Sequence, residues 1–427
     1  MIHPHIATLW IPLRRVLLAA VIGVSAGGAS ALFLVLLAQV SEMWQLHPEL
    51  IWGLPVVGFV IAAVYRRAGA GAGGGTNLII DTLHNPTAHR IPLRMFPLVL
   101  GSTLLTHLCG GSAGREGTAV QMAGSLAAAV LRWCRIEAHE ARLLLMAGVS
   151  AGFASVFGTP LAGTIFGMEF LGGNTVRTRA ALPCLVAALA GDATVRWFQV
   201  AHGHYRVEHM PALSLTLVGW CIAAGVLFAA IAFLYIELTH IVESTSTRLI
   251  ADPRWRTALG GVILIGMTYA SGTRAYNGLS LGLLADAFGP TGVPTLAFLY
   301  KFLFTVVTLG LGLKGGEVTP LFVIGATAGA TMGQVVGMPM DMMAALGLVA
   351  VFGAATQTPM ACFVLGLELF GTPMLVPLSI AVFLACALVG TRGIYHAQRV
   401  GSLDEELETS QQRPRLHDIR QERGRGQ

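Results

Sequence analysis

The sequence predicts an all-α protein that crosses a membrane several times and is built from two related halves with many broken or half-spanning helices. Three observations carry that prediction. Of 427 residues, 54% are hydrophobic and only 11% charged, against roughly 25% charged in an ordinary soluble domain. Apolar stretches follow one another from Val16 to Val389, and 16–40, 213–236 and 294–313 are long enough to cross a hydrocarbon core of about 30 Å as helix. Finally, two motifs recur in the same order about 200 residues apart.

Taken in order, the chain opens with MIHPHIATLWIPLRR, which lacks the short apolar core and small-residue cleavage site of a removable signal, so the first helix is expected to be retained. Arg14 and Arg15 precede that helix, and Arg66 and Arg67 follow the apolar segment 51–64. A helical hairpin with both basic ends in the cytoplasm satisfies the positive-inside bias. With an even number of crossings the tail 401–427, carrying Arg413, Arg415, Arg420, Arg423 and Arg425, is cytoplasmic as well. This topology accounts for the net charge of +5 without a nucleic-acid patch, and a basic tail suits anionic lipid. Cys109, Cys134, Cys184, Cys221, Cys362 and Cys386 lie in apolar surroundings without metal-ligand or disulfide spacing and read as small core residues, so neither metal nor cofactor is expected.

The middle of the chain is cut by Gly, Pro and Thr-Pro into apolar pieces of roughly 10–15 residues. Such breaks persist in a membrane only where the freed backbone groups are buried in protein or line a wet cavity, which points to a transport pathway. Thr159-Pro160, Thr319-Pro320, Thr358-Pro359 and Thr372-Pro373 each open an apolar run, with Thr suited to the N-cap and Pro to the first helical turn. A helix N-terminus attracts anions through its unpaired N–H groups; alternatively these are ordinary caps facing protein.

TPLAGTIFGMEF (159–170) aligns with TPMACFVLGLEL (358–369) at an offset of 199 residues, and GREGTAVQMAG (114–124) with GGEVTPLFVIG (315–325) at an offset of 201. Transporters built from two such halves place the substrate near the bilayer midplane, where broken helices converge. In this alignment Glu116 matches Glu317. An unpaired carboxylate at such depth costs roughly 2.5–3.5 kcal/mol, so each is either a structural ion pair or cap, or a mobile group that competes with an anion for helix N-termini. Arg115 is expected to snorkel to an interface or pair elsewhere, because neighbours at i and i+1 of a helix do not face each other. Glu169 and Glu368 read as structural or interfacial, and Lys301 as snorkelling to an interface. The glycines of 69–81 resemble a dinucleotide fingerprint but follow an apolar helix, so they suit a close backbone approach along a pathway. Gly110-Gly111-Ser112-Ala113-Gly114 also satisfies Gly-x-Ser-x-Gly, which leaves a remote alternative: an intramembrane hydrolase with Ser112 as nucleophile and His240 as base.

With these motifs assembled, the sequence resembles the CLC family of chloride channels and proton-coupled anion exchangers over about residues 15–395. Gly114-Arg115-Glu116-Gly117 followed by Val120-Gln121 is similar to the family's gating-glutamate motif. Thr118 after Gly117, Glu317-Val318-Thr319-Pro320 and the pair Asn77-Leu78 resemble the fluoride-exporting branch, whereas Thr76 stands where that branch is expected to carry Asn or Met.

The resemblance implies two inverted repeats, about 15–200 and 213–395, within a single membrane domain over 1–400. It further implies a homodimer, with only a short tail and no regulatory nucleotide-binding domain after it. It makes Glu116 the gate and proton carrier, and Glu317, Val318, Thr319 and Tyr395 the anion and coupling residues. The backbones of Gly75, Thr76, Asn77, Gly114, Arg115, Gly117 and Thr118 form the anion loops. Where many proton-coupled members carry a second proton glutamate after the residue matching Glu169, this sequence has Phe170, and the fluoride branch likewise lacks that glutamate. The expected activity is fluoride/proton antiport across the inner membrane, with no enzymatic step; a chloride/proton exchanger or passive chloride channel is the alternative that Thr76 keeps open.

Overall fold

A computed structural model describes residues 4–69, 71–85, 90–172, 176–203 and 205–399, with side chains from residue 12 onward. The tail 401–427, for which a cytoplasmic position is expected, lies outside the described residues. Sixteen α-helices follow one another among those described. The first eight are α1 (Pro4–Leu46), α2 (Leu54–Ala68), α3 (Gly75–His84), α4 (Met95–Leu108), α5 (Glu116–Trp133), α6 (Ala138–Phe157), α7 (Pro160–Glu169) and α8 (Ala181–Trp197). The second eight are α9 (Leu215–Leu249), α10 (Pro253–Ser271), α11 (Leu281–Ala287), α12 (Ala297–Gly310), α13 (Val318–Val336), α14 (Met340–Thr356), α15 (Pro359–Phe370) and α16 (Leu375–Val389). Seven helical spans among the described residues are long and apolar enough to cross a membrane, including those of α1, α6, α9 and α13. Segment 294–313 is not one of them: Pro294 and Leu296 precede the helix and Leu311 ends it, so α12 has 14 residues. Short helices such as α7, α11 and α15 supply the breaks the sequence predicts.

Each helix of the first eight has a counterpart in the second. The turn glycines that end α4 and α12, Gly110 (φ 80°) and Gly312 (φ 96°), coincide as well. Equivalent helices meet head to tail. The Thr257 carbonyl of α10 faces Gly58 of α2, while Gly261 of α10 faces Pro55. At the N-terminus of α15, Met360 and Ala361 donate their N–H groups to Glu169 at the end of α7 (3.1 and 2.8 Å). In return, Leu161 and Ala162 at the start of α7 donate to Glu368 near the end of α15 (3.0 and 2.6 Å). The two helices are therefore antiparallel, and the halves run in opposite directions. These caps also settle two of the four Thr-Pro starts: the N–H groups of α7 and α15 are occupied by protein carboxylates. Thr372-Pro373 opens a 3-10 turn that leads into α16.

The register between halves corrects the sequence alignment. Helices α4, α5 and the start of α6 match α12, α13 and the start of α14 at an offset of 202, not 201. The offset falls to 199 by the end of α14, because α14 has 17 residues and α6 has 20. By backbone position Arg115 is thus the counterpart of Glu317, and Glu116 of Val318.

The centre of the molecule is α5, α6, α13 and α14. Every residue of α14 from Asp341 to Thr356 is buried, as expected for a helix apolar all round. Gly325 and Gly329 of α13 let α14 approach to backbone contact, the small-residue packing common between membrane helices. The outer helices turn Leu17, Val21 and Val24 of α1 and Val226 and Leu234 of α9 outward, half exposed. Trp52, Trp133, Trp197, Trp255 and Tyr269 sit exposed near helix ends, as at a membrane interface. Arg14 and Arg15 both bind Glu140, which ties the start of α1 to the start of α6. Asp252 caps α10 by accepting from the Arg254 N–H (3.0 Å). Hydrogen bonds from Arg254 hold its carboxyl down to about 2. Cys134 departs from the core reading of the six cysteines: it is exposed, while the other five are buried.

Candidate functional site: a carboxylate at a helix N-terminus between two cavities

The site forms where two helix N-termini converge. Gly114 and Gly316 exchange backbone hydrogen bonds (2.6 and 2.8 Å) as an isolated antiparallel bridge. This brings the first turn of α5 against that of α13. Glycine is required here by proximity: a Cβ on Gly114 would lie 2.9 Å from the Thr319 nitrogen, and one on Gly316 would lie 2.9 Å from the Gly117 nitrogen. Any side chain would wedge the two ends apart.

Glu116 is the first residue of α5 and is 1% exposed. Its carboxylate reaches across to α13, where it accepts from the Thr319 N–H (3.0 Å) and from the Thr319 hydroxyl (2.7 and 2.5 Å to the two oxygens). The Arg115 N–H donates to it as well (3.2 Å), and the Arg115 Nε lies 3.3 Å away. Hydrogen bonds to a charged group contribute about 1.5–3 kcal/mol each, and the positive end of α13 adds to them. The carboxylate thus takes up donors of the kind a helix N-terminus offers to anions.

Two expectations fail at this point. Arg115 does contact Glu116, because it is the N-cap residue of α5 and lies outside the helical geometry that keeps i and i+1 apart. Thr319 is not the cap of α13 either: that position belongs to Glu317, and Thr319 is the second residue of the helix.

Two cavities lie at this junction, one lined by Glu116 itself and one by its neighbours Gly117 and Thr118. A narrow one of about 30 Å³ is lined by Arg115, Glu116, Tyr205 and Thr319. A wide one of about 500 Å³ is lined by Gly75, Thr76, Asn77, Gly117, Thr118, Glu317 and Tyr395, so most of the anion-loop residues named from the sequence do meet there. Arg66, Arg256 and Lys314 add positive charge to its walls. Such charge raises the local concentration of anions. Thr76 accepts from the Gln121 side chain (3.0 Å), the Asn77 carboxamide oxygen from the Ala397 N–H (3.1 Å), and Thr118 shares a hydrogen bond with Thr103 (2.8 Å). Val318, buried at the first turn of α13, presents its backbone to the same junction.

Lys301 overturns the snorkelling expectation. It is 0% exposed on α12, and its Nζ donates to the Ser112 hydroxyl (2.9 Å) and to the carbonyls of Gly278 (2.8 Å) and Tyr276 (3.3 Å). A buried amine therefore braces the loop that leads into Gly114. The same contacts remove Ser112 as a nucleophile: it is enclosed, bound also to Thr305 (3.0 Å), and His240 lines the wide cavity against His396 instead. Lys301→Met is expected to destabilise the protein, by about 1–3 kcal/mol for each acceptor left without a donor. A lowered thermal-unfolding midpoint in detergent checks this, and Lys301→Arg should not restore it, since a planar guanidinium does not fit a compact ammonium cage.

A duplicated, inverted helical fold with a carboxylate lodged at a helix N-terminus between two cavities defines a membrane protein of the anion channel and transporter class. The model of the voltage-gated chloride channel family matches residues 57–390, and the chain belongs to that family, the CLC channels and transporters. It is 42% identical over 417 residues to the chloride/fluoride channel protein of Pseudomonas syringae pv. tomato, covering 95% of this chain and 90% of the relative. It is 23% identical to the H(+)/Cl(−) exchange transporter ClcA of Yersinia pestis bv. Antiqua, covering 90% and 87%. Among solved structures, a CLC-type fluoride/proton antiporter superposes with a TM-score of 0.88 at 32% identity, covering 91% of this chain and 98% of the other. A slow cyanobacterial Cl−/H+ antiporter, at 21% identity and a TM-score of 0.79, covers 93% and 99% and shares the fold.

Proposed function

We propose that this protein is a fluoride/proton antiporter that exports fluoride from the cytoplasm. The observation that carries the reading is the Glu116 carboxylate seated on the Thr319 N–H and hydroxyl at the start of α13. When charged, this carboxylate occupies the anion's place; when protonated, it loses its hold and leaves the place to an anion. Alternation between the two moves one proton against the anion stream. Fluoride is small and strongly hydrated, so its water must be replaced by several good donors at once. Backbone N–H groups, Thr319 and Tyr395 supply them. Glu317-Val318-Thr319-Pro320 and the fluoride named for the P. syringae relative and the antiporter structure support fluoride as the anion.

In this reading residues 1–400 form one membrane domain, followed by a cytoplasmic tail, in the inner membrane with both termini in the cytoplasm. The wide cavity, walled by Arg66, then opens to the cytoplasm. The protein works as a homodimer with one pathway per subunit. Chloride is the second candidate, favoured by Thr76, whose hydroxyl lines the wide cavity. Efflux from liposomes loaded with fluoride or chloride, with proton uptake recorded, separates them: fluoride efflux should greatly exceed chloride efflux and draw protons inward. Equal turnover of both anions would exclude fluoride specificity.

A further inference from the structure

A third cavity, of about 310 Å³, is lined by Trp44 and Gln45 at the end of α1, by Arg274, Asn277 and Asp286, and by His107. His107 is the side chain through which this cavity touches the site. It stands on the last turn of α4, buried, with both ring nitrogens against backbone carbonyls. Nδ1 lies 2.8 Å from the Thr103 oxygen, one turn back on α4, and Nε2 lies 3.1 Å from the Ala113 oxygen. Ala113 immediately precedes Gly114, whose bridge to Gly316 sets Glu116 against Thr319.

Two carbonyls call for two donors, and a neutral imidazole has one N–H. Whichever tautomer forms, the other nitrogen turns its lone pair toward an oxygen. The protonated ring alone donates to both. The titratable and charged groups around it are Lys301 of α12 and Glu116 of α5, both within electrostatic reach, with Arg274 and Asp286 on the cavity wall. The same loop is held separately by Lys301 through the Ser112 hydroxyl. His107 therefore governs the stretch between Ser112 and Glu116.

We propose that His107 is a positioning residue for Glu116 whose grip depends on its own charge. Protonated from the third cavity, the ring binds both carbonyls, locks the loop that carries Arg115 and Glu116, and brings a positive charge toward the carboxylate. Glu116 is then held in its seat on Thr319, and exchange slows. With the ring neutral, one of the two contacts is lost, the loop loosens, and the carboxylate leaves its seat more readily. This inference rests on the antiport reading above, because it acts through Glu116. It makes the rate of exchange respond to pH through a group that carries none of the transported protons.

The test measures anion efflux and proton uptake by full-length protein in liposomes, with equal pH on the two sides, between about pH 5 and pH 8, where imidazoles change charge. His107→Gln and His107→Asn each remove the titrating ring. The glutamine amide reaches the place of Nε2 and still donates to Ala113, whereas the asparagine amide takes the place of Nδ1 and serves Thr103 alone. Efflux by the glutamine variant relative to wild type should rise by about 3–10-fold from the alkaline to the acid end, the effect of one net hydrogen bond. Its protons per anion should hold. The asparagine variant should show the same rise with fewer protons per anion, because Glu116 has lost its anchor at Ala113. A ratio independent of pH would refute the charge-dependent grip, and it is required of both variants, so either one that folds judges it. Equal coupling in the two variants would refute positioning through Ala113. If the wild-type protein moves no protons, the antiport reading fails on that result alone, and the pH dependence of the efflux ratio still judges His107.

Discussion

Glu116→Gln is expected to bring proton uptake by fluoride-loaded liposomes down to the protein-free baseline. Glutamine preserves the volume of the side chain and offers one carbonyl oxygen to the Thr319 hydroxyl. Its amide can turn that oxygen to the Thr319 N–H instead, where the carboxylate now accepts at 3.0 Å, but it has one acceptor oxygen where the carboxylate has two. Without charge it cannot compete with an anion for the end of α13, and without a titratable oxygen it carries no proton. Anion movement is therefore severed from proton movement, whatever its residual rate. A pH-sensitive dye inside the vesicles reads the result, and coupled uptake at the wild-type level would remove Glu116 from the role assigned to it.

Gly325→Val should be the most damaging change outside the site. A Cβ at Gly325 would stand 2.0 Å from the Gly347 carbonyl oxygen and 2.6 Å from its carbon, both backbone atoms of α14. Neither can rotate away, so α13 and α14 must separate along their length. Overpacking of a close-packed interior costs about 1–3 kcal/mol, and here the strained helix is the one whose first turn binds Glu116. A lower unfolding midpoint in detergent together with impaired transport is the expected outcome. A wild-type midpoint would mean that the two helices slide apart without penalty. Gly266 of α10, with open space around its Cβ position and ordinary helical backbone, is the control site.

Much of this was legible in the residues, and the failures share a cause. Glu116, Thr319 and the convergence of two helix starts followed from motif and repeat, because glycines and carboxylates in an apolar chain are conspicuous. Matching those conspicuous letters also misled: aligning Glu116 with Glu317 put the halves one residue out of register, and only the backbone corrected it. The separation of i from i+1 is a property of helix interiors, so it gave the wrong answer for Arg115 at a cap. Snorkelling presumes a helix end near an interface, and Lys301 lies under a re-entrant loop whose carbonyls no sequence pattern announces.

The 202-residue register also gives the pathway a direction. A duplicated protein whose halves were identical and inverted would present the same lining to an ion entering from either face. It could not treat inside and outside differently. Here the pseudo-twofold operation carries Arg115 onto Glu317 and Glu116 onto Val318. It replaces a cation by an acid at one pair of positions, and a carboxylate by an inert aliphatic at the other. The frame is largely shared while the charges at this junction are not, so the symmetry that survives in the scaffold is broken where the two helix starts meet.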